Sequence, residues 1–325
     1  MWDFSFGRAI TMVLRTLPFI LLRLVVYAVI SFSYLAAVGT GAGIGWLLGR
    51  VASVEGAAGG AFWGALIGFG LTTAILYLLR EYLLYMVKAA HIAVLVELLD
   101  GKSVPDGQNQ LSYGIASVKA HFTESSVLFG VDQLIKGVIT VIAGLTRGVA
   151  SLLPIPALQT LMNLINAVIR MSLTYVDEII LAHLLRTRTV NPWATAQDAL
   201  VLYAQNYRHM LKNAAWLTLL IWLATLGLFL VFLSPAAALL ALFPQAASAW
   251  VFLIAFLFAW ALKKAVMEPI AIASLMQVYF ATITGQSPDR EWRQRLEECS
   301  GKFRELGQKA ASWIGGRAAP KPAST

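Results

Sequence analysis

The sequence predicts an all-α, polytopic membrane protein with about six transmembrane helices, arranged as three hairpins that form a pseudo-repeat with cytoplasmic amphipathic helices. Hydrophobic residues make up 58% of the 325 residues and charged residues 13%, against roughly 25% charged residues in a soluble domain. Residues 56–79 and 214–262 contain no charge, and about 20 apolar residues suffice to cross the hydrocarbon. Proline-marked polar turns recur along the chain, which predicts the repeat.

These turns contain Pro105, Pro192 and Pro288, which lie about 90 residues apart. Proline removes a backbone donor and disfavours the helical conformation of the residue before it, so each turn is expected to close one unit. Each unit is predicted to hold a membrane hairpin followed by an amphipathic helix. The expected divisions are an interfacial helix at 1–23, three such units at 24–122, 123–213 and 214–310, and a disordered tail at 311–325.

The predicted hairpins cover residues 24–79, 131–176 and 216–262, with amphipathic helices at 112–121, 194–212 and 290–309. The first two of these helices are expected on the inner leaflet, and the third in solvent or against protein. Residues 82–99 and 270–284 are too apolar for a solvated tail. They either extend past the bilayer as a helical bundle or bend along the interface. Pro269 predicts a kink or break near Met267.

Glycines recur every fourth residue on both helices of the first hairpin, which places them on one face of each helix. Small residues at this spacing allow helix backbones to approach closely in lipid, a pattern known as a glycine zipper. Tight packing of the hairpin or of a subunit contact is the preferred interpretation, and a glycine-lined pore is the alternative. The residues are Gly41, Gly45, Gly49, Gly56, Gly60, Gly64 and Gly68.

The net charge of +8 is distributed unevenly along the predicted topology. Only Arg50 and Arg147 fall on one side of the membrane, while the other basic loop residues fall on the opposite side. The positive-inside rule therefore predicts that both termini of a multi-pass protein are cytoplasmic, and the minimal loops favour the inner membrane. The expected partners are the lipid bilayer and anionic headgroups on the cytoplasmic face, with a possible homo-oligomer and no nucleic acid.

The sequence carries no motif that would indicate an enzyme. HExxH, GxSxG, P-loop and CxxC patterns are absent, the single cysteine is Cys299, and the four histidines occur singly. The glycine-rich run at 39–45 lies in an apolar span with no preceding strand, so it does not indicate nucleotide binding. We expect no catalytic residue, no metal and no cofactor.

Charged residues cluster where the returning helices reach the cytoplasmic side, and they allow two interpretations. In the first, they form interhelical ion pairs at the inner interface and bind no substrate. In the second, carboxylates line a cytoplasm-facing vestibule for a cation or proton, with His91 and His183 titrating near neutral pH. Asp132 and Lys136 also fall four residues apart and are expected to pair. The substrate or ion candidates are Glu81, His91, Asp132, Asp177, Glu178 and Glu268, and the aromatic candidates for a quaternary ammonium are Tyr82, Tyr85, Tyr175 and Trp260.

Three stretches carry a family resemblance: VKAHFTESSVLFGVDQLIKGVITVI through YVDEIILAHLL, ALVLYAQNYRHMLKNAAWLTLLIWLATLGLFLVF, and FAWALKKAVMEPIAIASLMQVYFATITGQ. In order and spacing they resemble the membrane core of the choline transporter-like proteins, over residues 118–286. The acidic patch typical of that family after the last span is reduced here to Asp289 and Glu291. The resemblance implies a transport-type fold more than it implies choline.

The sequence therefore predicts a transport-type membrane protein, a transporter or channel, for a small organic cation, ion or lipid. The alternative is a non-transporting scaffold that recruits a cytoplasmic protein through residues 290–309. The glycine faces allow an oligomeric channel as a third possibility.

Overall fold

A computed structural model describes residues 2–52, 56–103, 109–121, 125–147, 173–188, 191–241 and 249–315, and all regular structure in these ranges is helical. The prediction of an all-α chain is confirmed for this part. The α-helices are α1 (Phe6–Arg15), α2 (Leu17–Ala52), α3 (Gly56–Leu99), α4 (Gln110–His121), α5 (Ser125–Arg147), α6 (Val176–Thr187), α7 (Pro192–Gln205), α8 (Tyr207–Ala241), α9 (Ala249–Leu262), α10 (Glu268–Ile283), α11 (Arg290–Cys299) and α12 (Gly301–Gly315).

Four helical stretches are long and apolar enough to cross a membrane: Leu17–Val51, Gly56–Leu76, Tyr207–Ala241 and Trp250–Ile283. Large apolar side chains on them are exposed, including Phe32, Phe62 and Val231. Exposure of such side chains to water would be costly, so these surfaces suit contact with lipid. The chain is thus a membrane protein with several apolar helices, and the count of six spans stays a prediction.

The second predicted hairpin, residues 131–176, is relevant to the number of membrane spans. Its first helix, α5, is not among the four candidate spans, and it packs against α6, α7 and α12. Residues 148–172, which include the expected outer turn at Pro154 and Pro156, lie outside the described residues.

The chain forms two compact units, which we call the hairpin unit and the bundle unit. The hairpin unit comprises Leu17–Lys88 and Leu223–Glu268, and the bundle unit comprises Met1–Thr16, Ala89–Trp222 and Pro269–Thr325. These divisions differ from the three sequential units expected from the proline turns.

In the hairpin unit, α2 and α3 approach each other through their glycines. A Cβ added at Gly45 would lie 3.1 Å from the Cα of Gly64 and would overlap the carbonyl group of Gly60. Equivalent overlaps occur for Gly41 against Gly64 and for Gly49 against Gly56. The backbones therefore meet without intervening side chains.

A π-helix, Lys263–Met267, joins α9 to α10. The Glu268 N–H donates to the carbonyl of Lys263, five residues back. Pro269 explains this irregularity, because it has no N–H to donate and its ring clashes with the carbonyl four residues earlier. The predicted kink or break near Met267 takes the form of this π-helix.

In the bundle unit, α7 lies among α5, α6, α11 and α12. Ten of its 14 residues are buried, including Ala196, Ala199 and Leu200, so protein covers it on nearly every side. The helix was expected on the inner leaflet, but it is covered by protein instead. Its alanines explain this, because small side chains let neighbouring helices approach closely. Pro192 occupies the first turn of α7, where its missing N–H costs nothing, and the Asn191 side chain accepts from the Ala194 N–H at 3.2 Å.

Helix α1 also packs into the bundle unit, through Ala9, Met12 and Val13, and ends at Arg15. Residues 89–97 and 270–276 are uniformly buried. That burial matches the helical-bundle alternative for these apolar extensions better than a helix lying along an interface, which would keep one face exposed.

Candidate functional site

The candidate residues predicted from the sequence are divided between the two units. His91, Asp132, Tyr175, Asp177 and Glu178 belong to the bundle unit, and Glu81, Tyr82, Tyr85, Trp260 and Glu268 to the hairpin unit. The side chains of Glu81 and Tyr82 lie outside the described part of the chain.

His91 is fully buried in the bundle unit. Its Nε2 lies 2.8 Å from the Thr16 hydroxyl, which donates its own proton to the Val13 carbonyl at 2.8 Å. The hydroxyl therefore accepts from His91, which places the ring proton on Nε2. This geometry is that of a core histidine that fixes the end of α1.

The candidate carboxylates of the bundle unit lie where other groups of the chain stabilise their negative charge. Asp132 and Lys136 form the expected pair at 2.6 Å, with Asp132 buried. Asp177 and Glu178 lie in the first turn of α6, where backbone N–H groups and the helix dipole stabilise negative charge. Neighbouring residues point about 100° apart on a helix, so these two side chains face different surroundings.

His183 differs from the expectation that it titrates near neutral pH. Burial lowers its pKa to about 4, despite the nearby carboxylate of Asp198. Its Nδ1 lies 3.2 Å from the Tyr279 hydroxyl, which donates to the Ala199 carbonyl at 3.3 Å. His183 is thus neutral at pH 7 and holds together α6, α7 and α10.

An ion-pair network lies at the end of α3 in the bundle unit. Glu97 accepts from Arg188 at 2.8 Å and pairs with Lys102 at 3.3 Å, while Asp100 pairs with Arg186 at 2.6 Å. Burial alone would raise the pKa of Glu97, but the hydrogen bonds from Arg188 and Lys102 lower it below its usual value. Arg188 has a positive φ of 48°, an uncommon backbone conformation for a residue with a side chain. The network therefore orders the turn after α6.

The C-terminal helices α11 and α12 pack against α7, and α12 also packs against α5. Leu296, Phe303 and Leu306 are fully buried there. Arg293 pairs with Asp198 and donates to the Gln197 side chain at 2.9 Å. The apolar face of residues 290–309 is therefore covered by the chain itself.

The hairpin unit contains a cavity of about 510 Å³, within the usual size range of ligand pockets. Helix α2 contributes Ile30 and Tyr34, α3 contributes Ala65 and Thr73, and α9 contributes Leu257 and Trp260. The Tyr34 hydroxyl donates to Thr73 at 3.2 Å, and Thr73 donates to the Phe69 carbonyl at 2.8 Å. The two hydroxyl groups of the wall thus have partners, and the rest of the lining is predominantly apolar, so the cavity is suited to an apolar occupant.

Trp260 lines this cavity and packs edge-to-face on Tyr27, with ring centroids 5.5 Å apart at 82°. It was predicted as part of an aromatic site for a quaternary ammonium. Of the other aromatic candidates, Tyr85 is half-buried in the hairpin unit and Tyr175 is buried in the bundle unit.

Arg23, one of the basic residues on the predicted cytoplasmic side, is a buried cation of the hairpin unit. It is 3% exposed, and its Nη2 atom is buried with no hydrogen-bond partner. No hydrogen bond joins its guanidinium to another side chain in the described part of the chain. On insertion scales a charge costs about 2.5–3.5 kcal/mol at the centre of a span and less toward its ends. The signal in the sequence was a single arginine within the apolar run that begins at Leu17.

Glu268 is a carboxylate of the hairpin unit that interacts electrostatically with Arg23. Its side chain accepts a hydrogen bond from Lys264, four residues earlier. The negative charge of Glu268 is therefore shared between at least two cations.

Arg23 and the cavity lie on the same face of α2. Arg23, Tyr27, Ile30 and Tyr34 follow each other at spacings of four, three and four residues, which defines one helix stripe. At 1.5 Å per residue, Arg23 lies about 10 Å along the axis from Ile30, which lines the cavity. Tyr27 lies between these two positions and belongs, with Ile30, to a packed core of the hairpin unit.

Comparison of the chain with protein-family models, with curated proteins and with solved structures found no match.

Proposed function

We propose that the chain is a transport-type integral membrane protein of the inner membrane that binds a lipid in its hairpin unit. The observation that carries this proposal is the apolar cavity of about 510 Å³ between α2, α3 and α9. An acyl chain is the cellular ligand best matched to such a lining, because it needs no polar partner within the cavity.

Among the three substrate classes expected from the sequence, the geometry favours a lipid over a cation or an ion. Ion sites need oxygen ligands that replace the hydration shell. Glu268 already binds Lys264, and Asp132 already binds Lys136. A cation at either carboxylate would have to displace a lysine.

The basic asymmetry of the sequence supports cytoplasmic termini, and the resemblance to choline transporter-like proteins agrees with a transport-type fold. The close approach of α2 and α3 supports glycine-zipper packing within the hairpin. A six-span topology and a homo-oligomer remain parts of the proposal.

The proposal is tested by filling the cavity. Ala65→Trp places an indole in the cavity, and Ala74→Trp provides a matched control on the exposed surface of the same helix. The protein is reconstituted with a phospholipid that carries a diazirine in its acyl chain, and crosslinked peptides are mapped by mass spectrometry. In parallel, movement of a fluorescent phospholipid between leaflets is followed by dithionite quenching.

We expect Ala65→Trp to lose crosslinks at the cavity-lining segments of α2 and α9 and to slow lipid movement, whereas Ala74→Trp retains both. Equal crosslinking and movement in the two variants would contradict a lipid site in this cavity.

The alternative function, a scaffold that recruits a protein through residues 290–309, has less support. The apolar face of that segment is buried against α7 and α5, so only its polar face is available to a partner.

A further inference from the structure

We propose that Arg23 binds the anionic group, a phosphate or carboxylate, of an amphiphile whose apolar chain occupies the cavity of the hairpin unit. This inference rests on the proposed function, because the cavity supplies the chain-binding half of the site. It assigns the chemical class of the headgroup.

The first support is the state of the guanidinium. Arg23 is 3% exposed, and its buried Nη2 has no hydrogen-bond partner. Buried polar groups are nearly always hydrogen-bonded, and a buried charge without a partner is costly. Among the side chains that the structure describes, none fills this role, so a ligand that brings its own oxygen atoms would complete the site.

The second support is the charge around Arg23. Glu268 is the carboxylate that interacts with it, and Glu268 is also bound by Lys264 and interacts with Lys263. Among the described residues, the carboxylate of Glu268 thus interacts with three cations, Arg23, Lys263 and Lys264. A planar guanidinium presents paired N–H donors that match phosphate and carboxylate oxygens.

The third support is the position of Arg23 along α2. The candidate span Leu17–Val51 has 35 residues, which at 1.5 Å per residue gives a length of about 52 Å, against about 30 Å of hydrocarbon. One or both ends of this span therefore extend beyond the hydrocarbon. Arg23 lies near the first end, and Ile30 and Tyr34 lie further in. The headgroup of such an amphiphile would lie at Arg23 and its chain in the cavity, about 10 Å further along α2 and beyond the packed ring of Tyr27.

The experiment uses the full chain in nanodiscs that contain phosphatidylcholine alone or phosphatidylcholine with phosphatidylglycerol. Bound lipid is identified by native mass spectrometry, and thermal unfolding is recorded in both membranes and in a maltoside detergent, which carries no phosphate. Arg23→Gln removes the charge, and Arg23→Lys retains it without the paired donors. Arg50→Gln is the matched control, because Arg50 is exposed near the other end of the same helix.

We expect the wild-type chain to retain phosphatidylglycerol over phosphatidylcholine, and Arg23→Gln to weaken this preference about tenfold or more. Arg23→Lys should be intermediate, and Arg50→Gln should match wild type. In a maltoside detergent, which carries no phosphate, Arg23→Gln should unfold at the same temperature as wild type or higher, because it removes a buried charge that has no hydrogen-bonded partner.

Two results would overturn the inference. One is an unchanged phosphatidylglycerol preference in Arg23→Gln. The other is a loss of stability of Arg23→Gln in the phosphate-free maltoside detergent, which would show that a carboxylate of the chain already pairs with this arginine.

Inorganic phosphate added to the phosphatidylcholine nanodiscs distinguishes a free anion from a lipid headgroup. If phosphate stabilises wild type and Ala65→Trp but not Arg23→Gln, this result would support the anion site and identify a free anion as its ligand. Retention of phosphatidylglycerol that is lost in both Arg23→Gln and Ala65→Trp would identify the lipid.

Failure of this inference can be separated from failure of the proposed function. If Ala65→Trp removes chain crosslinks while Arg23→Gln keeps the lipid preference, the lipid cavity stands and the anion site does not. If the reverse is found, the anion site stands and the cavity is not its chain-binding half.

Discussion

The imidazole of His91 and the hydroxyl of Thr16 lie 2.8 Å apart in the buried part of the bundle unit, joining α3 to the turn between α1 and α2. Thr16→Val keeps the shape of the side chain but removes the hydroxyl partner of His91. We expect a loss of about 1–3 kcal/mol in the free energy of unfolding, because a buried donor loses its acceptor. Thermal or denaturant unfolding of the purified protein measures this loss.

Thr11→Val is the matched control for that prediction. Thr11 is exposed on α1 and donates only to the Gly7 carbonyl at 2.9 Å. A similar loss in both variants would show that the Thr16–His91 bond contributes nothing specific.

Gly45→Ala should destabilise the hairpin unit by about 1–3 kcal/mol, the usual cost of overpacking. The added Cβ would overlap the carbonyl group of Gly60. Gly43→Ala on the same helix has open space around its Cβ, and it should be neutral or stabilising by up to about 1 kcal/mol through helix propensity. Unfolding of the two variants in detergent is compared directly, and equal midpoints would argue against close backbone contact.

Phe303→Ala should destabilise the bundle unit by about 3–5 kcal/mol, because Phe303 is fully buried where α12 packs. Gln308→Ala, at an exposed position of the same helix, should have little effect. Circular dichroism during heating measures both.

Deletion of all residues after Gln286 extends the same reasoning to the whole tail. It should cause aggregation, since α7 would expose the surface that α11 and α12 cover. A truncated chain that stays folded while losing a bound protein would instead favour the scaffold function.

The stability of the bundle unit should fall as the pH drops from about 6.5 toward 4. Burial lowers the pKa of folded His183 to about 4 from 6.5, so in this window the unfolded chain binds a proton that the folded chain does not. The contribution of His183 is fully present above pH 6.5 and lost by pH 4, a difference on the order of 3 kcal/mol. His183→Gln should remove this part of the pH dependence, and an unchanged slope in that variant would contradict the assignment.

The sequence carried enough information to predict helices, several apolar stretches long enough to cross a membrane, and some local side-chain geometry. Glycines at every fourth position lie where α2 meets α3, Asp132 pairs with Lys136, and Pro269 accompanies a π-helix. Each of these three features depends on residues within one or two turns of a helix or on a residue pattern that repeats along a helix. The periodicity of the sequence shows such features directly.

The position of α7 was not predictable in the same way. Periodicity shows that a helix has an apolar face, but lipid and protein are equally apolar partners for that face. Only the tertiary fold shows that α5, α6, α11 and α12 surround it. The surroundings of Arg23 were hidden for a similar reason, since one charge near the end of an apolar run resembles an ordinary interfacial anchor until its neighbours are known.

The glycine contact between α2 and α3 also fixes the alignment of these two helices. A slip of one residue along α2 would bring Ile44 or Trp46 to the position of Gly45, where even a methyl group does not fit. The same two helices form two walls of the cavity in the hairpin unit, through Tyr34 and Thr73 among others. Because the glycine contact fixes these two walls relative to each other, any change in the width of the cavity would have to come from α9, the third wall, whose contact with α2 includes side chains.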